Sequence, residues 1–136
     1  MQFARLFSKL SAVTEPLALC VYERMLPGSQ LLVKLQDLGY HAHHTQDIGQ
    51  VISEAEEHGP IIVLLDLVWR QRDPLIAINQ LANNPKTEHL PVIAFANMES
   101  EKLLERALIE GASLVTGDDG ILQQLKQLLD QAMDFD

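Results

Sequence analysis

The sequence predicts a doubly wound α/β fold, with a five-stranded parallel sheet in the order 2-1-3-4-5 and helices on both faces. Three observations carry that expectation. Five short strand-like runs, LALCVY (17–22), the more polar YHAHHT (40–45), IIVLLDL (61–67), PVIAFA (91–96) and SLVT (113–116), alternate with stretches whose apolar residues recur at helical spacing. Each strand is followed by a helix, the crossover that parallel strands require. The connections are only a few residues long, and right-handed crossovers then leave few topologies, of which the doubly wound order is usual for a domain of 136 residues.

Each element has its own justification. Residues 1–13 set Phe3, Leu6, Phe7 and Leu10 at helical spacing, with Arg5 and Lys9 turned elsewhere. They predict a short amphipathic helix in an extension over 1–15, ahead of the main domain over 16–136, packed on that domain or filling a dimer contact. LALCVY is a buried strand. Pro27 and Gly28 open a helix striped by Leu31, Leu32, Leu35 and Leu38, and Gly39 ends it. YHAHHT is polar enough for a sheet edge. Thr45 or Asp47 caps the next helix, which turns Ile48, Val51, Ile52 and Ala55 inward and stops at Gly59-Pro60. IIVLLDL is the most apolar run and so the central strand. Asp73-Pro74 is a cap followed by proline at the first helical position, and that helix ends near Asn83-Asn84-Pro85. PVIAFA is the fourth strand. A helix over MESEKLLERALIEG ends at Gly111, SLVT forms the other edge, and DDGILQQLKQLLDQAM is the last helix, with Asp118 and Asp119 capping its positive end.

Composition narrows the function classes. Ten Lys and Arg against 19 Asp and Glu, a formal net charge of −9, exclude a nucleic-acid backbone as the main partner. The one cysteine, Cys20, sits in an apolar run and predicts a core residue with no intrachain disulfide, which makes the cytoplasm the default compartment. No apolar stretch reaches the roughly 18 to 20 residues of a membrane span, and no signal-peptide pattern opens the chain. There is no Cys-His or Ser-His pairing, and YERMLPGS has too little glycine to cradle a phosphate, so neither catalysis nor a nucleotide or flavin cofactor is expected. Among His41, His43 and His44, the first and second share a strand face. Two histidines at that spacing are half a metal site, no third ligand stands out, and the run reads as edge-strand surface.

Asp66 is the residue that asks for a function, because a carboxylate at the end of the most buried strand is costly unless paired, protonated or chelating. LLDL ending strand three, PVIAFA in strand four and ALIEGASLV leading into strand five resemble, in order and spacing, the receiver (CheY-like) domains of two-component response regulators. The resemblance spans residue 17 to about 133 and implies a flavodoxin-like fold. It puts Asp66 at the phosphoacceptor position, and it implies a Mg²⁺ site from Glu23, Asp66 and the Val68 carbonyl. Other positions depart from the pattern. Val21-Tyr22-Glu23 keeps one acid of a pair, Ala96 stands for a Ser or Thr, and Val115 replaces an aromatic switch residue. Thr116-Gly117-Asp118-Asp119 offers an acid, Asp118, where the family has a lysine.

These departures predict a degenerate receiver, a stand-alone module of bacterial signal transduction that works by protein–protein contact, independently of phosphorylation and with no cofactor. The length leaves no room for an output domain. The expected partner is a sensor kinase, an output protein or a second copy in a homodimer, with Trp69 as a contact residue. The alternatives are a true single-domain response regulator, phosphorylated on Asp66 with Mg²⁺, and a small-molecule binder at the carboxyl edge of the sheet. The loop VWRQRDP supplies Arg70 and Arg72 as expected charge partners of Asp66.

Overall fold

Residues 15–97 and 99–134 are described by a computed structural model. The expected N-terminal helix over 1–13 lies outside them. Five strands, β1 (Leu17–Val21), β2 (His41–Thr45), β3 (Ile62–Asp66), β4 (Val92–Ala96) and β5 (Leu114–Gly117), form one parallel sheet in the order β2-β1-β3-β4-β5. The order follows burial demand. Every residue of β3 and β4 is buried, as their unbroken apolar runs require, while the more polar β2 and the short β5 take the edges.

Alternation along the strands builds two cores. Leu19, Val21, Val63, Leu65, Val92 and Ala94 face α2 (Val51–His58), α3 (Pro74–Ala82) and α4 (Glu101–Glu110). Ala18, Cys20, Ile62, Leu64, Ile93 and Phe95 face α1 (Met25–Asp37), α5 (Asp118–Gln123) and α6 (Leu125–Ala132). Each large aliphatic side chain sealed this way contributes roughly 1.5–3 kcal/mol of burial.

The turn chemistry works largely as its residue types dictate. Asp47 Oδ1 accepts from Gly49 N–H at 2.9 Å and opens a short 3₁₀ turn, Ile48–Gln50, ahead of α2. Asp73 Oδ1 accepts from Leu75 N–H at 3.0 Å, with Pro74 in the first turn of α3. Gly59 ends α2 in the left-handed conformation, φ 59°. In α1, Leu26 is extended (φ −121°, ψ 127°), so the continuous helix begins at Pro27-Gly28. Gly28 is required there for a steric reason: a Cβ would overlap the ring of the buried Tyr22, which is itself stacked on His44 with centroids 3.8 Å apart.

Two expectations need correction. The last helix is two, bent at Gln124 (φ −116°, ψ 23°), although the bonds Gln124 N–H to Gly120 C=O and Leu128 N–H to Gln124 C=O carry the helical pattern across. The cap position of α5 is Gly117, and neither Asp118 nor Asp119 makes a capping bond. Both lie in the first turn, and Asp118 is committed elsewhere. Among the described residues, no helix is long and apolar enough to cross a membrane.

Candidate functional site

The strand register decides what can meet at the carboxyl edge. Val21 pairs with Leu65, Asp66 with Phe95, and Ala96 with Gly117, so the chain leaves β1, β3, β4 and β5 along one rim. Doubly wound sheets present their sites on this rim. Asp66 ends the central strand and is fully buried, with relative exposure of 0%.

Its carboxylate accepts three hydrogen bonds. Arg24, in the turn after β1, donates from Nε to Asp66 Oδ2 at 2.8 Å and from Nη2 to Oδ1 at 2.8 Å. Val68 N–H donates to Oδ1 at 2.9 Å, and Trp69 Nε1–H donates to the Asp66 carbonyl at 2.6 Å. The same guanidinium holds Asp118, with Nη1 to Oδ2 and Nη2 to Oδ1 both at 2.9 Å. One planar cation is thus forked on two carboxylates, an arrangement that arginine geometry permits and a lysine ammonium does not. No buried side-chain nitrogen or oxygen lacks a partner among the described residues.

The electrostatics follow from burial and these bonds. Burial pushes the Asp66 carboxyl above the usual carboxylate range; the hydrogen bonds from Arg24 and Val68 oppose that shift, and nearby Asp118 adds to it. For Arg24, desolvation works against the charge, but the hydrogen bonds it donates to Asp66 and Asp118, with the attraction of both carboxylates, outweigh it and raise its pKa. The guanidinium is therefore a permanent cation.

The other expected site residues are distributed around this clamp. Arg70 and Arg72 are exposed, and the pairing expected of them is made by Arg24 instead. The topology gives the reason: β1 is hydrogen-bonded to β3, so the turn after β1 opens beside Asp66, while the loop after β3 touches Asp66 through Val68 and Trp69 and is exposed from Arg70 to Asp73. Glu23 is half-buried, and its Oε1 accepts from the Arg70 backbone N–H at 3.0 Å. Val68 meets Asp66 through its N–H. Trp69 is half-buried and packs against the core as well as bonding Asp66. Ala96 is buried and Val115 packs against the same core. Glu23, Arg24, Met25, Val68, Trp69 and Arg70 line an open cavity over the clamp, and Met25 and Leu26 are 59% and 65% exposed.

No family model matches the sequence, and no curated protein matches it. Solved structures do match. The chemotaxis protein CheY4 of Vibrio cholerae is 13% identical at a TM-score of 0.78, over 88% of this chain and 100% of that one. The receiver domain of NtrX from Brucella abortus is 17% identical at 0.77, over 88% and 99%. The receiver domain of the sensor histidine kinase PA1611 from Pseudomonas aeruginosa, with a magnesium ion coordinated in its active-site cleft, is 18% identical at 0.78, over 88% and 98%.

This chain has the receiver fold. The rim of that fold is where the Arg24 clamp sits. Arg24 was not among the site residues anticipated from the sequence, yet a signal for it existed. It lies in the turn after β1, just past Tyr22 and Glu23, and in the order 2-1-3-4-5 the end of β1 lies beside the end of β3.

Proposed function

We propose that this chain is a receiver module that acts through protein–protein contact without being phosphorylated, and that Arg24 supplies the positive charge that Mg²⁺ and a lysine supply in phosphorylated receivers. The observation that carries this reading is the Arg24 fork across Asp66 and Asp118. Phosphoryl transfer to a carboxylate needs a free oxygen for in-line attack and a divalent cation to neutralise charge between donor and acceptor. Both Asp66 oxygens already accept charge-assisted bonds from a fixed cation.

The residues do not fit Mg²⁺. That ion wants near-octahedral oxygen ligands at about 2.0–2.1 Å, and here a guanidinium lies against the carboxylate it would need. Glu23 is engaged by Arg70 N–H. Ala96 brings no hydroxyl to a phosphoryl oxygen, and Asp118 would repel one. The shared guanidinium ties the ends of β1, β3 and β5 together, which favours one constant conformation for a partner to recognise. Trp69 with the exposed Met25 and Leu26 forms an apolar rim beside the clamp, and tryptophan is a residue favoured at contact hot spots. By resemblance, the partner is a kinase, an output protein or another receiver.

The test is incubation of the protein with Mg²⁺ and acetyl phosphate, and separately with beryllofluoride. Intact mass and amide resonances near Asp66 are the readouts. No adduct and no shift are expected. A stoichiometric adduct that disappears in Asp66→Asn would overturn the proposal and establish the phosphorylated alternative.

A further inference from the structure

At the far edge of the sheet, three side chains converge that the Asp66 site does not use. In the β1–β2 register His43 lies opposite Leu19, whose side chain belongs to the core that α2 covers. Strand alternation therefore points His43 toward α2, which presents Glu54 and His58 one turn apart. His43 Nε2 lies 2.7 Å from Glu54 Oε2, and His58 Nε2 lies 3.0 Å from the same oxygen. The two imidazole centroids are 4.4 Å apart, and the ligand-capable atoms of all three residues lie within 4.8 Å of one another.

We propose that His43, Glu54 and His58 form a binding site for Zn²⁺ or a similar borderline first-row divalent cation. Held as hydrogen bonds, both contacts need a proton on Nε2 of each ring, and the two donors take up both lone pairs of one carboxylate oxygen. A single cation among the three atoms satisfies both ring nitrogens and the carboxylate together. Tetrahedral Zn²⁺ with bonds of about 2.0–2.1 Å sets its ligand atoms about 3.3 Å apart. The separations of 2.7 and 3.0 Å from Glu54 therefore need to open by about 0.6 and about 0.3 Å, and the two ring nitrogens, within 4.8 Å of each other, need to settle at the same spacing.

The donor set decides the class of metal. Two imidazoles and a carboxylate suit Zn²⁺ and its first-row neighbours, whereas Mg²⁺ and Ca²⁺ prefer oxygen alone. The side chains are 24–37% exposed, which leaves an entry path and room for a water or a partner's side chain as fourth ligand. Bound metal would clip the edge strand β2 to α2. The inference stands apart from the phosphorylation state of Asp66.

Untagged protein, stripped with chelator and titrated with ZnCl₂ by calorimetry, tests the site. One Zn²⁺ per chain, with a micromolar or tighter dissociation constant and a raised melting temperature, is expected. His43→Gln and His58→Gln should each weaken binding by more than the ~10-fold typical of losing an outer-shell partner, with circular dichroism confirming the fold. His41→Gln, on the same strand face and exposed, should bind as the wild type does. Absence of saturable binding, or binding that survives both His43→Gln and His58→Gln, would overturn the assignment. So would a loss in His41→Gln equal to theirs, which would mark adventitious surface histidine binding.

Discussion

Truncating Arg24 would leave Asp66 and Asp118 without the cation that joins them, and the Asp66 carboxylate with only the Val68 N–H as its protein partner. Breaking a buried ion pair in this way typically costs ~3–5 kcal/mol. Arg24 and Asp118 are 24% and 26% exposed, so solvent screening places Arg24→Ala near the low end, about 3 kcal/mol in urea unfolding. Arg24→Lys keeps charge but not the fork and should lose an intermediate amount. Arg70→Gln and Arg72→Gln should fall within about 0.5 kcal/mol of wild type, as exposed substitutions do. A larger loss for either would return it to the role expected from the sequence. Asp66 also makes a pH prediction. Its carboxyl is raised by burial, so between its unfolded and folded values the native chain holds a proton that the unfolded chain has released. The contribution to stability is full below the unfolded value and is lost as pH rises through the folded one. Relative to Asp66→Asn, which lacks this titration, wild type should gain stability as pH falls through the folded value of Asp66 toward its unfolded one. The opposite trend would mean that the pull of Arg24 exceeds the cost of burial.

At the scale of the elements, Gly28 offers a test in which two effects have opposite signs. Alanine is better than glycine within a helix by about 1 kcal/mol, but a Cβ at Gly28 runs into the Tyr22 ring. Overpacking costs typically ~1–3 kcal/mol, so Gly28→Ala should destabilise on chemical denaturation. A neutral or stabilised variant would show that α1 can move off the end of β1. Elements like this one were legible in the sequence because their determinants are local. Pro27-Gly28 opening α1, Gly59-Pro60 closing α2, Asp73-Pro74 starting α3 and the unbroken apolar run of β3 each act within a few residues. The bend at Gln124 has no such local mark, and nothing in the structure explains it. The site was only half legible. Asp66 announced itself by being an acid on a buried strand. Its partner Arg24 is 42 residues away, and Asp118 is 94 residues from Arg24. Their meeting depends on strand order and register. The triad of His43, Glu54 and His58 was hidden for the same reason, since a strand and a helix each carry part of it.

Over the whole molecule, the two cores share one sheet, and the clamp fastens its carboxyl rim where the chain leaves β1, β3 and β5. By resemblance, phosphorylated receivers place acids after strand one and a lysine after strand five. Here Glu23 keeps one acid after the first strand, but the cation stands there as Arg24 and an acid stands after the fifth as Asp118, and this ties the two positions together under mutation. Arg24→Asp alone adds an acid to the neighbourhood of Asp66, Asp118 and Glu23. Asp118→Lys alone sets a second cation beside Arg24, with only Asp66 for both to share. Each should be harmful, and the double reversal should be milder than the sum, with a coupling within the ~0.5–3 kcal/mol measured for residues in one charge network. Additive losses would show the two positions to be independent. Single substitutions that lead from this sequence toward a phosphorylatable one then run uphill first, so the inverted pair holds the protein in its own region of sequence space.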